Sequence, residues 1–338
     1  MSLSFIDLFA GIGGFRYGME LAGHKCIGFC EFDKFALAGY TSMHLITEEQ
    51  RKILEKLDLK KRQKEILNNE YRNGEWYAKD IKEVDATSMP KADCWCFGFP
   101  CQDISIAGNC LGFQGSRSSL FFAVTKLVRE LKEEDKPTYL FIENVKNLFS
   151  VNRGFDFARV LVELDEIGYD ARWMLLNSKY FGVPQSRERI YIIAYLRGKG
   201  GQEILPITRE KEKSSEIAVG GEWECFTRPV PIRNATKKGY EMAYHGDAVY
   251  LAYPNSKTRR GRVSKGCTQT LDTSCQIGVI TSDGRIRRLT PRECFRLQGW
   301  PDLYFEKAAF VNSDSQLYKQ AGNQVTINVI EAIASTYL

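Results

Sequence analysis

The stretch DLFAGIGGF, residues 7–15, joins a predicted strand to a predicted helix through a turn that contains three glycines. Because Gly11, Gly13 and Gly14 have no Cβ atom, the backbone of this turn can pass close to a ligand. Turns of this kind serve NAD, FAD or S-adenosylmethionine, or they make a tight corner with no ligand. The spacing departs from the GxGxxG pattern of dinucleotide sites, which favours a single adenosine without a pyrophosphate.

An acidic residue ends the second predicted strand, KCIGFCE. This residue, Glu31, lies 17 positions beyond the last glycine of the turn. A carboxylate at this point can accept hydrogen bonds from both hydroxyls of a ribose, although a surface glutamate at a strand end is the plain alternative. Asp80, followed by Ile81, offers an acceptor for an adenine amino group, and Phe15 is placed to lie against the adenine ring.

The chain up to residue 196 alternates short apolar runs with helical patterns. The runs are SFIDLF, KCIGFCE, ADCWCFGF, TYLFIEN, ARWMLLN and RIYIIAYL, and several are apolar on both faces, as expected for strands covered by helices on each side. In residues 120–131 the apolar positions recur at three- and four-residue spacing, which indicates a helix. The alternation predicts an α/β fold with a doubly wound, mostly parallel sheet.

Two segments interrupt this alternation. Residues 45–78 are highly charged and begin with Thr47 and Gln50 in capping-box spacing, which indicates a solvated helical insertion or hairpin. After residue 196, glycine, proline, serine and basic residues dominate until RLTPRECFRLQGW starts a new helix, so we predict a second, smaller domain rich in β-structure and loops. The expected boundaries are 1–194 plus 320–338 for the larger domain, 195–289 for the smaller domain and 290–319 for a connecting hinge.

Composition and charge narrow the class of protein. Hydrophobic residues make up 43% and charged residues 26% of the chain, and no apolar run approaches the roughly 20 residues of a membrane span. The N-terminus has no signal-peptide pattern, so we expect a cytoplasmic protein with reduced thiols and no membrane partner. Residues 195–289 contain 17 Lys/Arg and 10 Asp/Glu, a local charge of +7, which leaves −2 elsewhere. Such a basic segment is typical of a surface that faces a polyanion.

The ten cysteines separate into two kinds. The sequence has no CxxC pair and only three scattered histidines, so we expect no metal site. Cys94 and Cys96 lie on one face of a predicted strand and are interpreted as packing residues. Cys101 follows Gly98 and Pro100 in a loop beyond that strand, where a thiol can be exposed, ionised and nucleophilic.

A carboxyl group and two guanidinium groups are expected at the same sheet edge as Cys101. Glu143 ends the strand FIENV, and Arg187 and Arg189 alternate near the start of a later strand, which puts them on one face. This set suits an attack on an electron-poor ring. The thiolate adds to the ring, the carboxylic acid holds or protonates a ring nitrogen, and an arginine balances the developing charge.

Seven ordered blocks resemble the bacterial DNA (cytosine-5)-methyltransferase family over nearly the full length of the chain. The blocks are DLFAGIGGF, GFPCQDIS, GSRSSLFF, ENV, GVPQSRERIY, RLTPRECFRLQGWP and QAGNQVTINVI. The resemblance implies a Rossmann-like, S-adenosylmethionine-dependent methyltransferase with a target-recognition domain. Such an enzyme flips a cytosine out of a specific double-stranded DNA sequence and methylates C5 through a covalent adduct between Cys101 and C6.

Three other classes of protein compete with this interpretation. An RNA cytosine methyltransferase has a similar motif order, but the sizeable basic second domain favours duplex DNA. A catalytically silent DNA-binding relative is opposed by the intact Cys101, Glu143 and Arg189. A nicotinamide enzyme leaves this set of three side chains unexplained.

The resemblance also implies roles for individual residues. Glu143 would bind N3 and the exocyclic amine of the cytosine, and Arg189, with Arg187 beside it, would hold the O2 side. A C-terminal helix at roughly 320–338 would pack on the larger domain. The expected cofactor residues are Phe15, Gly11, Gly13, Glu31, Asp80, Ile81, Pro100, Leu120 and Asn323. The expected DNA-binding residues are Gln102, Ser105, Arg259, Arg260, Arg262 and Thr270.

The implied cofactor is S-adenosylmethionine, with S-adenosylhomocysteine as product and no metal. The implied partner is double-stranded DNA, bound by a monomer that belongs to a restriction–modification system or acts as a solitary or phage modification enzyme. Whether a cognate restriction endonuclease acts on the same site, without stable association, stays open, as does the target sequence.

Overall fold

The computed structural model describes residues 2–99, 120–199 and 229–338. Four of the expected site residues lie outside these ranges: Pro100, Cys101, Gln102 and Ser105. The segments on either side of them are described, and these define the edge of the sheet at which the predicted nucleophile was placed.

The chain divides into two compact units. The segment 290–319, expected to be a hinge, belongs to the first unit, as does the short segment 270–275. The reason is local packing, since Ser42 Oγ donates a hydrogen bond to Lys307 O at 2.6 Å, which ties this segment to the N-terminal part of the chain. The first unit comprises residues 1–201, 270–275 and 290–338, and the second comprises residues 202–269 and 276–289.

A seven-stranded sheet forms the centre of the first unit, in the order β3-β2-β1-β4-β5-β8-β6. The first five of these strands pair in parallel, whereas β8 runs antiparallel to both β5 and β6. The predicted doubly wound, mostly parallel sheet is therefore confirmed. The strands are β1 (Ser4–Leu8), β2 (Lys25–Cys30), β3 (Trp76–Ala78), β4 (Cys94–Gly98), β5 (Tyr139–Val145), β6 (Tyr169–Asn177), β7 (Gln185–Ser186, outside this sheet) and β8 (Glu188–Leu196).

Helices lie along the chain between and after these strands. They are α1 (Gly14–Leu21), α2 (Lys34–Tyr40), α3 (Glu48–Glu55), α4 (Leu59–Glu65), α5 (Leu120–Glu130), α6 (Phe155–Glu166), α7 (Pro291–Leu297), α8 (Asp302–Ala309), α9 (Asp314–Asn323) and α10 (Ile327–Tyr337). Shorter turns are a π-helix at Thr41–Leu45 and 3-10 helices at Asn69–Arg72, Ile81–Glu83, Ala86–Ser88, Lys146–Phe149, Val151–Gly154 and Ser178–Tyr180.

Capping residues determine where two of these helices begin. Thr47 Oγ1 accepts a hydrogen bond from Gln50 N, and the Gln50 side chain accepts one from Thr47 N, as the sequence predicts. Thr290 and Glu293 form the same reciprocal pair at the start of α7. The C-terminus differs from the prediction, because the single helix expected at 320–338 is two helices, α9 and α10. The chain becomes extended at Gln324, which ends α9 one residue earlier.

The charged insertion, residues 45–78, is anchored rather than fully solvated. Leu54, Ile66 and Tyr71 are buried against residues of α2 and of the loop that follows α8. Arg62 donates from Nη1 to Phe310 O at 2.8 Å, and its guanidinium lies 4.0 Å from the centroid of the Phe310 ring. The insertion therefore joins the N-terminal half of the unit to its C-terminal helices, and its last residues supply the edge strand β3.

The second unit is built of short antiparallel strands. One pair and one four-stranded sheet, in the order β12-β11-β14-β15, share a small core that includes Ile232, Val249 and Ile280. The predicted β- and loop-rich character is confirmed for the residues that the structure describes. The strands are β9 (Val230–Arg233), β10 (Tyr240–Ala243), β11 (Ala248–Tyr250), β12 (Val263–Ser264), β13 (Thr268–Gln269), β14 (Ile277–Ile280) and β15 (Ile286–Arg288).

Across the described ranges, none of the helices combines the length and the apolar character that crossing a bilayer demands.

Candidate active site

A cavity of about 490 Å³ opens at the carboxyl edge of the central sheet. Its walls are the segments that follow β1 and β2, the carboxyl ends of β4 and β5, Arg187 and Arg189, and residues of α9 and the loop after it. Open α/β sheets bind their ligands in this crevice, beyond the carboxyl ends of the strands. The cavity therefore lies at the edge of the sheet where we predicted both a nucleoside site and a reactive site from the sequence.

The glycine turn forms one wall of the cavity. Gly11 and Gly13 have φ values of 57° and 86°, a left-handed conformation that glycine adopts without strain. A Cβ atom on Gly14 would lie 1.7 Å from Gln324 Nε2. The turn consequently permits a close approach of the C-terminal segment, and Gly11 and Gly14 both line the cavity.

The Glu31 carboxylate is fixed by the backbone on both sides. Its Oε2 accepts a hydrogen bond from Gly11 N and its Oε1 accepts one from Asp33 N, both at 2.7 Å. Burial raises the pKa of Glu31 above its ordinary value, although these N–H groups oppose the shift. Since a carboxylate offers about four acceptor positions, roughly two remain for hydroxyl groups of a ligand in the cavity.

Phe32 is a feature of this region that sequence reasoning did not single out. It follows Glu31, its side chain is 67% exposed, and Lys79 Nζ lies 5.5 Å from its ring centroid. The signal was present in FCEFD, where an aromatic residue adjoins the carboxylate at the end of a strand.

Glu143 and Arg189 form an ion pair in the same cavity. The antiparallel pairing of β5 and β8 puts Glu143 opposite Tyr191, so Arg189, two residues away, lies on the same face. Glu143 Oε1 is 3.1 Å from Arg189 Nε. Burial raises the pKa of the Glu143 carboxyl group, while the two arginines act against the shift. This carboxyl group therefore takes up a proton at a higher pH than an exposed glutamate does.

Arg187 holds the C-terminal segment against the cavity. Its side chain is 4% exposed, and Nη2 donates to Gln324 O at 2.7 Å and to Gly322 O at 3.3 Å. Burial, with Arg189 nearby, lowers the pKa of Arg187 to about 10. Its Nε and Nη1 atoms are buried and have no hydrogen-bond partner among the described residues. Two nitrogen atoms, which carry three N–H groups, thus remain unpaired at a wall of the cavity.

Polar side chains of α9 and the following loop complete the lining. Lys319 Nζ is 2.6 Å from Asp33 Oδ2, which ties α9 to the loop after β2. Gln316 Oε1, Gln320 Oε1 and Gln324 Nε2 are buried without hydrogen-bond partners in the part of the chain described. The cavity is therefore lined by polar atoms whose hydrogen-bonding capacity is unused, as expected of a site for a polar ligand.

The family is decided by comparison with known proteins. The sequence profile of the family described as "C-5 cytosine-specific DNA methylase" matches residues 3–69 and 46–338, which together span nearly the whole chain. The chain belongs to this family. The resemblance in the sequence motifs is thereby confirmed, and the protein is a DNA (cytosine-5-)-methyltransferase.

Individual relatives cover the methylase from end to end. The Type II methyltransferase M.HhaI of Haemophilus parahaemolyticus is 32% identical over 98% of this chain and 93% of its own length. The Type II methyltransferase M.HpaII of Haemophilus parainfluenzae is 32% identical over 99% of this chain and 89% of its own length.

Solved structures share the fold of the methylase. The Dnmt2 methyltransferase of S. pombe has a TM-score of 0.59 at 18% identity and covers 98% of this chain and 97% of its own. The Entamoeba histolytica methyltransferase EhMeth has a TM-score of 0.58 at 18% identity and covers 99% of this chain and 98% of its own.

The structure brings most, but not all, of the expected cofactor residues of the methylase to the cavity. Asp80 and Ile81 do not line it: Asp80 Oδ1 accepts a hydrogen bond from Lys82 N at 3.0 Å, and Ile81 is buried in the core of the sheet. Gly13 also lies behind the lining, where a Cβ atom would be 2.5 Å from His44 Nε2. The residues that do line it are Gly11, Phe15, Glu31, Leu120 and Asn323.

The predicted DNA-binding residues of the second unit differ in how far their side chains are exposed. Arg262 is 4% exposed, and its guanidinium donates to the backbone carbonyls of Arg233, Pro254 and Tyr250 at 2.9–3.3 Å. This burial argues against the expected DNA contact, because the charged group already holds the loop together. Arg260 is exposed, as is Thr270 of the first unit, whose hydroxyl donates to Ser186 O at 3.0 Å.

In the described ranges, no group of three or more His, Cys, Asp or Glu side chains is placed to hold a metal ion.

The approach of Gly322 to a neighbouring segment yields a stability prediction. A Cβ atom on Gly322 would lie 2.6 Å from the backbone of Asp272, which cannot move aside as a flexible side chain does. We expect Gly322→Ala to lower the free energy of unfolding by about 1–3 kcal/mol. Urea unfolding measures the effect, with Ser315→Ala, at an exposed position of the same helix, as the control. Equal stability of the two variants would show that the close approach does not exist.

Proposed function

We propose that this methylase transfers a methyl group from S-adenosylmethionine to C5 of a cytosine that is flipped out of a specific double-stranded DNA sequence. One observation carries the proposal. Glu31, suited to a ribose, and the Glu143–Arg189 pair, suited to a cytosine ring, line the same cavity. A methyl donor and a base bound by these groups would share one space, as direct transfer between them requires.

The residues fit S-adenosylmethionine. A volume of about 490 Å³ lies within the usual range of cofactor pockets, about 300–1,000 Å³. Glu31 would accept the ribose hydroxyls with its remaining lone pairs, and the unpaired polar atoms of α9 would meet the polar end of the ligand. When bound, S-adenosylmethionine supplies an electrophilic methyl group. We further propose that the exposed ring of Phe32 provides a face for the adenine.

Glu143 and Arg189 would hold the cytosine. Because burial raises the pKa of Glu143, its protonated form can donate a hydrogen bond to ring N3 while its other oxygen accepts one from the exocyclic amine. Arg189 would donate to O2 and balance the negative charge that develops on the ring. Binding in this way requires the base to leave the duplex, because these edges are paired inside it.

Cys101 would supply the nucleophile. It lies two residues beyond Phe99, which lines the cavity. The thiolate would form a bond to C6, and the electron pair of the C5–C6 bond would become available at C5. C5 would take the methyl group, with S-adenosylhomocysteine as the leaving group. Loss of the C5 proton to a base then returns an electron pair to the ring, and the C6–S bond breaks to release the thiolate. Gln102 and Ser105, in the same stretch of sequence, would contact the DNA.

The wider role is proposed from the names of the relatives. M.HhaI and M.HpaII are Type II methyltransferases, so we propose that this chain, as a monomer in the cytoplasm, modifies DNA within a restriction–modification system. A solitary or prophage-borne modification enzyme is the alternative.

Glu31→Ala is expected to weaken the binding of S-adenosylmethionine by about 10- to 100-fold, because two hydrogen bonds to a charged group are lost. Isothermal titration calorimetry measures this dissociation constant directly. Because the pKa of Glu31 is raised, wild-type binding should also weaken as the pH falls, beginning at a higher pH than for an exposed glutamate. Glu83→Ala, at an exposed carboxylate, is the control. An unchanged dissociation constant for Glu31→Ala would show that this residue does not contact the cofactor.

Bisulfite sequencing of DNA from cells that express the chain tests the proposed reaction. We expect protected cytosines at one recurring sequence, in cells with the wild type and not in cells with Cys101→Ser. If a folded, expressed wild type protects no cytosine in DNA while cytosine in RNA from the same cells becomes methylated, the RNA methyltransferase alternative is correct instead.

A further inference from the structure

Arg259, in the second unit, lies over two tyrosine rings in cation–π contacts. Its guanidinium carbon lies 4.1 Å from the centroid of Tyr250 and 5.7 Å from that of Tyr253. Tyr250 is the last residue of β11, whereas Tyr253 is 71% exposed on the loop beyond that strand. One ring therefore belongs to the rigid sheet and the other to the surface, and the arginine joins the two.

The backbone of Arg259 is held on both sides. Its N–H donates to Ser256 Oγ at 3.2 Å, and its carbonyl oxygen accepts a hydrogen bond from Ala235 N at 2.9 Å. Together with the cation–π contacts, these bonds limit the positions that the side chain can occupy. An arginine restrained before binding loses less conformational entropy when it meets a ligand.

Three neighbouring cations in the second unit, Arg260, Arg262 and Lys265, donate to protein acceptors, whereas the guanidinium of Arg259 donates to none that the structure describes. Arg262 donates to three backbone carbonyls, Arg260 Nε donates to Ala235 O at 3.1 Å, and Lys265 Nζ lies 2.6 Å from Asp247 Oδ2. The guanidinium of Arg259 has no hydrogen-bond acceptor among the residues described. An aromatic ring provides no strong acceptor for these N–H groups, so they remain available to a ligand.

We propose that Arg259 reads the O6 and N7 atoms of a guanine in the major groove of the recognised DNA sequence. This inference rests on the proposed function. Two parallel N–H groups of a guanidinium match these two acceptors, and this is the commonest specific contact between arginine and a base. A phosphate needs only a nearby positive charge, which exposed residues such as Lys257 supply. A restrained arginine with an unpaired edge is suited to selection between bases, because selection depends on fixed geometry.

Arg259→Ala and Arg259→Lys both test the proposal, since lysine keeps the charge but loses the paired N–H groups. The measurement is methylation of a DNA library randomised around the target cytosine, scored by bisulfite sequencing. We expect both variants to lose about 10-fold or more of the preference at one G·C position and to keep the preferences at the others. Lys257→Ala is the matched control, and it should slow methylation of all sequences alike.

Two results would overturn the proposal. A uniform loss of activity in Arg259→Ala that lysine restores, with the salt slope of binding reduced by about 1, would identify a phosphate contact. An unaltered sequence preference in both variants would identify a structural role only. If Arg259→Ala does not fold, as judged by its thermal melt, the lysine variant alone decides. A wild type that methylates no defined sequence would instead refute the proposed function, so the two failures are distinguishable.

Discussion

Cys101→Ser is expected to reduce methylation of target DNA by about 10³-fold or more, while DNA binding stays measurable. A thiol reaches its anionic form near neutral pH far more readily than a hydroxyl does, and the anion is the species that attacks C6. The cavity that holds Glu143 and Arg189 is unchanged by this substitution, so the flipped base should still be bound. Transfer of labelled methyl groups to DNA measures the rate, and a gel-shift assay measures binding.

Cys267→Ser provides the control for Cys101→Ser, because Cys267 is a partly exposed free cysteine far from the cavity in sequence. We expect its methylation rate to stay within about 2-fold of the wild type, as for most surface substitutions. A Cys101→Ser enzyme that keeps within tenfold of the wild-type rate would exclude covalent attack by this residue.

Glu143→Gln is expected to slow methylation by about 10²- to 10⁴-fold. The amide has nearly the shape of the carboxyl group, but it cannot pass a proton to N3 and loses the ion pair with Arg189. The loss should appear mainly in kcat, because the ring can still be held by hydrogen bonds. Single-turnover kinetics on an oligonucleotide duplex separate this chemical step from binding.

The pH dependence of Glu143→Gln provides a second test of the same residue. If the protonated form of Glu143 acts on N3, the wild-type rate falls as the pH rises through the raised pKa of this group, and the variant lacks that decline. Glu188→Gln, on the same strand as Arg189 and paired with Lys146 at 2.8 Å, is the control and should change the rate little. Identical pH profiles for wild type and Glu143→Gln would assign the decline to another group.

Local patterns were sufficient to predict the central sheet and its functional edge. The strand that precedes Glu31 and the strands that contain Glu143 and Arg189 are apolar on both faces, so their pattern distinguishes them from surface segments. Glu31 and Glu143 converge because parallel strands bring their carboxyl ends to one edge of a sheet. Arg189 reaches the same edge because it lies near the start of β8, which runs antiparallel to β5. Cys94 and Cys96 were interpreted as packing residues because they lie within a predicted strand, and both are buried in β4.

Contacts between distant segments could not be predicted from these patterns. Arg187 was expected beside the cytosine, but it also holds Gly322 and Gln324, more than 130 residues later in the chain. Arg262 belongs to a run of basic residues that the sequence predicts to be exposed. Its guanidinium is buried because the loop folds so that three backbone carbonyls surround it. No proline marks the break between α9 and α10 in the sequence. The helix ends because Gln324 adopts an extended conformation where it packs against Gly14, a contact between distant residues.

Covalent trapping tests whether Cys101 attacks a flipped cytosine during methyl transfer. Duplex DNA with 5-fluorocytosine at the target position should become attached to the wild type in the presence of S-adenosylmethionine, because fluorine cannot leave C5 as a proton does. We predict a shifted band on a denaturing gel, a cross-link that maps to Cys101, and no band with Cys101→Ser. A wild type that methylates ordinary target DNA but forms no adduct with the fluorinated duplex would contradict the account.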